Sequence, residues 1–111
     1  NNYASVKLWN FRKKRFLDTG LQFCGLIMGD HSKTAINTQL NTGTIVGVAS
    51  NIFKSGFPPN LVDSFSWGGM KDDEKFKLGK AYEVAELAMA RRKVAFTEED
   101  KGIFKYIYET F

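Results

Sequence analysis

Histidine and cysteine each occur once in the 111 residues, as His31 and Cys24, and proline occurs only as the pair Pro58-Pro59. A single thiol forms no intrachain disulfide, which suits a reducing compartment. One His and one Cys do not make metal-ligand spacing, so no metal site is expected. Any imidazole general base must be His31, which otherwise reads as a polar corner residue facing solvent or a subunit. Asp30 is its neighbour in sequence, and no carboxylate is assigned to orient it. No apolar run is long enough to span a bilayer, and no signal peptide opens the chain, so a cytoplasmic location is expected. Phosphate-cradling glycine loops of the P-loop or dinucleotide kind are missing. The net charge is only +4, with basic and acidic residues intermixed. Without a basic stripe interleaved with aromatics, nucleic acid is not expected as a partner.

What the chain does contain is a rhythm of six between Met28 and Phe57. The first position of successive hexads holds Met28, Thr34, Leu40, Val46 and Ile52, of which four are large and apolar. The fifth holds Ser32, Thr38, Thr44, Ser50 and Gly56, all small. With Ser, Thr and Gly at roughly one residue in five, that run has odds of about three in ten thousand per frame, too low for noise. An apolar residue every six with a small one at the fifth place predicts a mainly-β, hexapeptide-repeat parallel β-helix. The first and fifth positions then point inward, and glycine or asparagine tolerates the corners. An irregular, Thr-rich β segment is the alternative.

Around the repeat, Val6-Lys-Leu-Trp-Asn and Arg15-Phe-Leu-Asp-Thr flank Phe11-Arg12-Lys13-Lys14, which predicts a β-hairpin with a basic tip over about residues 6–20. Such a tip either meets phosphates or is a solvated turn. Pro58-Pro59 stops the repeat, since proline donates no ladder hydrogen bond. An extended connection, residues 60–70, carries Phe65 and Trp67 to a Gly-Gly turn. Two amphipathic helices follow. Leu78, Ala81, Tyr82, Ala85, Ala88 and Met89 recur at helical spacing between Lys75 and Lys93. Thr97 caps a second helix with Glu98, Glu99 and Asp100 in its first turn and Ile103, Phe104, Ile107, Tyr108 and Phe111 on its buried face.

The stretches GDHSKTAINTQLNTGTIVGVASNIF, GFPPNLVDSFSWGG and AYEVAELAMARR resemble the C-terminal region of sugar-1-phosphate nucleotidyltransferases. The resemblance is to glucose-1-phosphate thymidylyltransferase-like chains and to the bifunctional N-acetylglucosamine-1-phosphate uridyltransferase/glucosamine-1-phosphate acetyltransferase. It implies a left-handed β-helix with three hexads per coil, so that Met28 stacks on Val46 and Thr34 on Ile52, about 4.8 Å apart. Coils and hairpin would fill residues 1–70 and a helical extension residues 71–111. The N-terminal nucleotidyltransferase domain, with its Mg2+, would be missing. The opening Asn1-Asn2-Tyr3 lacks Met, which fits a C-terminal piece whose first coil has lost its neighbour.

The same resemblance implies a homo-oligomer, a trimer, in which the region mainly serves assembly. Alternatively, it acts as an acetyl-CoA-dependent transferase on an amino-sugar phosphate. For substrate it points to Asn2, Tyr3 and Lys7, and for the CoA arm to Ile36 and Lys54. The family's catalytic His-x-x-Tyr segment would lie upstream, so His31 is not its counterpart and no catalytic residue is assigned. A piece of this kind is not expected to turn over a nucleoside triphosphate.

Overall fold

The computed structural model describes residues 3–71 and 73–111. Strands β1 (Lys7–Asn10) and β2 (Arg15–Asp18) pair antiparallel, with Lys7 opposite Asp18 and Asn10 opposite Arg15. Asn10 shapes the turn because its side-chain oxygen accepts the N–H groups of Arg12 and Lys13 at 3.0 and 2.9 Å. Lys14 closes the turn at φ +52°.

Two three-stranded parallel sheets follow. One orders β3 (Leu26–Met28), β5 (Thr44–Val46) and β7 (Leu61–Val62). The other orders β4 (Lys33–Thr34), β6 (Asn51–Ile52) and β8 (Trp67–Gly68). Met28 lies beside Val46 and Thr34 beside Ile52, the offset of eighteen that the resemblance implied. Fourth-position residues His31, Asn37, Gly43 and Ala49 all have φ between +55° and +73°, so each is a left-handed corner. For a non-glycine residue that conformation costs roughly 1–2 kcal/mol, which the stacked corner must offset.

The small fifth positions do more than fit a narrow interior. Ser32 Oγ donates to the Gly47 carbonyl at 2.6 Å and accepts the Ser50 N–H at 2.9 Å. Thr38 and Thr44 donate to the carbonyls of Ala35 and Asn41, each at 2.7 Å. Among the described residues, no buried side-chain polar atom lacks a partner. The hydroxyls therefore satisfy corner backbone that the short ladders leave over.

The architecture is not the mainly-β, left-handed β-helix expected. Of the described residues 24% are helical against 22% in strands, and the strands are short pieces of small parallel and antiparallel sheets with no sign of a left-handed solenoid. The stretches 37–43 and 53–60 stay in turn and coil. Their Asn, Gly and paired Pro residues disfavour a ladder there, since proline donates nothing and Asn and Gly favour turns.

Helices supply the larger core. Helices α1 (Leu78–Ala90) and α2 (Glu98–Thr110) have thirteen residues each. Ala81, Ala85 and Phe104 are buried together with Ala49 and Phe65 from the corners of the sheets. Phe65 is fully buried, with its ring edge-on to Phe104 at 5.8 Å and to Tyr108 at 5.0 Å. A second, smaller cluster joins Val46, Ile52 and Val62 between the sheets.

Candidate functional site

Because β4 stacks on β6, the turns that follow them lie side by side. Ala35–Gln39 and Phe53–Gly56 enclose a cleft of about 280 Å³, so Ile36 and Lys54 line the same depression. Ile36 is 93% exposed, a large apolar side chain with no protein cover. The Lys54 ammonium is ion-paired with the Asp73 carboxylate, whose side chain is only 6% exposed. Asp73 also accepts the Met70 N–H at 2.6 Å. The Lys54 hydrogen bond first, and then the Met70 N–H, hold the Asp73 carboxyl below the usual carboxylate range.

The remaining lining is side-chain amide from Asn37 and Gln39, hydroxyl from Thr38 and Ser55, and the Phe53 ring. Thr38 uses its hydroxyl on the Ala35 carbonyl. No carboxylate, imidazole or thiol lines the cleft. Its chemistry is therefore that of a polar binding ledge with apolar contacts at Ile36 and Phe53.

The residues assigned to substrate lie elsewhere. Asn2 falls outside the described residues. Tyr3 is 75% exposed, and its ring meets Phe23 edge-on at 6.2 Å. Lys7 opens β1, where its charge contributes, after the hydrogen bonds from Ser5 and Gly20, to the lowered pKa of Asp18. Neither Tyr3 nor Lys7 lines the cleft of Ile36 and Lys54, because the hairpin carries them to another part of the surface.

His31 is a corner residue at φ +62°. Its ring lies edge-on to Phe104 at 5.3 Å and to Phe96 at 6.5 Å, so it seats α2 against the sheets. Among the described residues no group of three or more His, Cys, Asp or Glu side chains is placed to hold a metal. No described helix is long and apolar enough to cross a membrane.

Sequence reasoning missed Asn37, Gln39, Ser55 and Asp73. Asn37 and Ser55 carried a usable signal: they stand eighteen residues apart, the offset at which Lys33 pairs with Asn51. Asp73 carried none, since its approach to Lys54 depends on the Gly68-Gly69 turn, where both glycines have positive φ. Comparison with family models, with curated proteins and with solved structures found no match for the chain.

Proposed function

We propose that this chain is an assembly unit of a sugar-1-phosphate nucleotidyltransferase and that it self-associates, as a trimer, through the open first rung of its sheets. The observation that carries the assembly role is the contrast between β3 and its neighbour. Leu26, Ile27 and Met28 are all exposed, whereas Thr44, Ile45 and Val46 directly beside them are all buried. Met28 continues the column of Val46 and Val62, both 2% exposed, yet is itself 37% exposed. An uncovered apolar strand edge is a template for another chain. Leu21 and Phe23, in the segment that leads into β3, are exposed as well. The transferase class and the trimer rest on the resemblance of the stretches quoted above.

A second reading, acetyl-CoA binding for transfer to an amino-sugar phosphate, is favoured by one observation, the shared cleft of Ile36 and Lys54. Light scattering over a dilution series tests the first reading. Self-association is expected, at the mass of a trimer, and Met28→Asp shifts it toward monomer while far-ultraviolet circular dichroism stays unchanged. A monomer at every concentration contradicts it. Titration calorimetry with acetyl-CoA tests the second: binding that Lys54→Ala weakens supports it, and no heat of binding removes it.

A further inference from the structure

Where the hairpin, the first sheet and the end of α2 meet, they leave an open apolar groove of about 370 Å³. Trp9 and Phe11 form one wall, Ile107 and Phe111 the other, and Ile27 and Ile45 lie between them. The Phe11 and Phe111 rings meet edge-on at 6.1 Å at one side. Among the described residues no charged side chain lines the groove, and the one hydroxyl, Ser64 Oγ, already accepts the Val48 N–H at 2.9 Å. An occupant therefore finds apolar contact there and no polar anchor.

Cations follow Phe11 directly in the chain. The same tight turn that carries Phe11 into the groove continues as Arg12, Lys13 and Lys14, all exposed. Among the described residues none of the three is in an ion pair. The hairpin's one acidic residue, Asp18, stands at its far end opposite Lys7. Unpaired cations beside a slot without polar groups complement a ligand with an apolar tail and an anionic head. The volume is that of a small-molecule pocket.

From this juxtaposition we infer that the groove binds a free medium-chain fatty acid, its alkyl chain between Trp9, Phe11, Ile107 and Phe111 and its carboxylate on Lys13 and Lys14. The groove shares Ile27 with the exposed strand β3 and has no lining residue in common with the cleft at Lys54.

Trp9 supplies the readout. In a Trp67→Phe background its emission reports the groove alone, and the probe is decanoate below its micellar concentration. Saturable change of Trp9 emission is expected. Burial of each further methylene raises affinity about fourfold, so decanoate is expected to bind roughly fifteen times more tightly than octanoate. Decanol, without the charge, binds more weakly than decanoate. Lys13→Glu with Lys14→Glu reduces decanoate affinity severalfold and leaves decanol unchanged, a comparison that controls for folding within one protein. Absence of saturable change, equal affinity for octanoate and decanoate, or indifference of decanoate to the charge reversal would each overturn the inference. Co-sedimentation with phosphatidylglycerol vesicles is the last arm. Protein left in the supernatant fits a site for the free acid, whereas pelleting reassigns the hairpin and groove to a membrane surface and overturns it.

Discussion

Gly47 leaves β5 at a point where the next rung presses on it. A Cβ placed there would meet the Ser64 backbone nitrogen at 2.5 Å, with Ser64 Oγ closer still. Backbone cannot swing aside as a side chain can, so Gly47→Ala is expected to lower stability by about 1–3 kcal/mol in urea unfolding, as overpacking does. Gly79 and Gly102 have open space around the same position, and alanine there is the matched control. Asp73 gives the residue scale its pH dependence. Its carboxyl is held below the ordinary value by Lys54 and by the Met70 N–H. A lowered folded-state pKa means that the charged form stabilises the fold at every pH above the unfolded value of about 3.9, and that this contribution fades as pH falls through the folded value. The stability difference between wild type and Asp73→Asn is thus expected to be constant above about pH 5 and to shrink below about pH 4. A difference that grows on acidification would contradict the assignment.

At the scale of elements, α2 is held at its start by a reciprocal cap. Thr97 accepts the Asp100 N–H at 3.2 Å, and Asp100 accepts the Thr97 N–H at 2.9 Å. Three acidic residues in the first turn add a favourable interaction with the helix dipole. Thr97→Ala is expected to cost about 1 kcal/mol, read as a lower thermal midpoint. This cap was legible in the sequence because it is local chemistry three residues apart. The hairpin and both helices were legible for the same reason, and the three hexads per coil that the resemblance implies put Met28 beside Val46 and Thr34 beside Ile52. Local patterns said less about which parts of a face would be covered. Ala88, Ile103 and Phe111 belong to apolar stripes yet are exposed, because the sheets are too small to floor the whole of either helix. The fold class failed on the same point. A repeat fixes the spacing of its own strands, but not that Phe65 would leave the stack to join Phe104 and Tyr108 in a helical core.

For the molecule as a whole, the candidate cleft was half legible. Ile36 and Lys54 share it because stacked turns bring such offsets together, whereas Tyr3 and Lys7 follow a hairpin whose placement no repeat encodes. The segment that leads into α1 covers the outer edge of β8, whereas among the described residues no strand covers the outer edge of β3. Trp67 donates its N–H to the Glu74 carbonyl at 2.9 Å, and Phe76 donates its N–H to the Phe65 carbonyl. Among the described residues, Leu26–Met28 has β5 on one side and no strand on the other. The central claim is that further copies of this chain cover that bare rung. Amide hydrogen exchange, followed at Leu26 and Met28 as the protein is diluted, tests it most directly. Protection at these two amides is expected to be strong at high concentration and to fall on dilution, while Ile45 and Val46 remain protected throughout. Exchange at Leu26 and Met28 that is fast at every concentration would contradict the account.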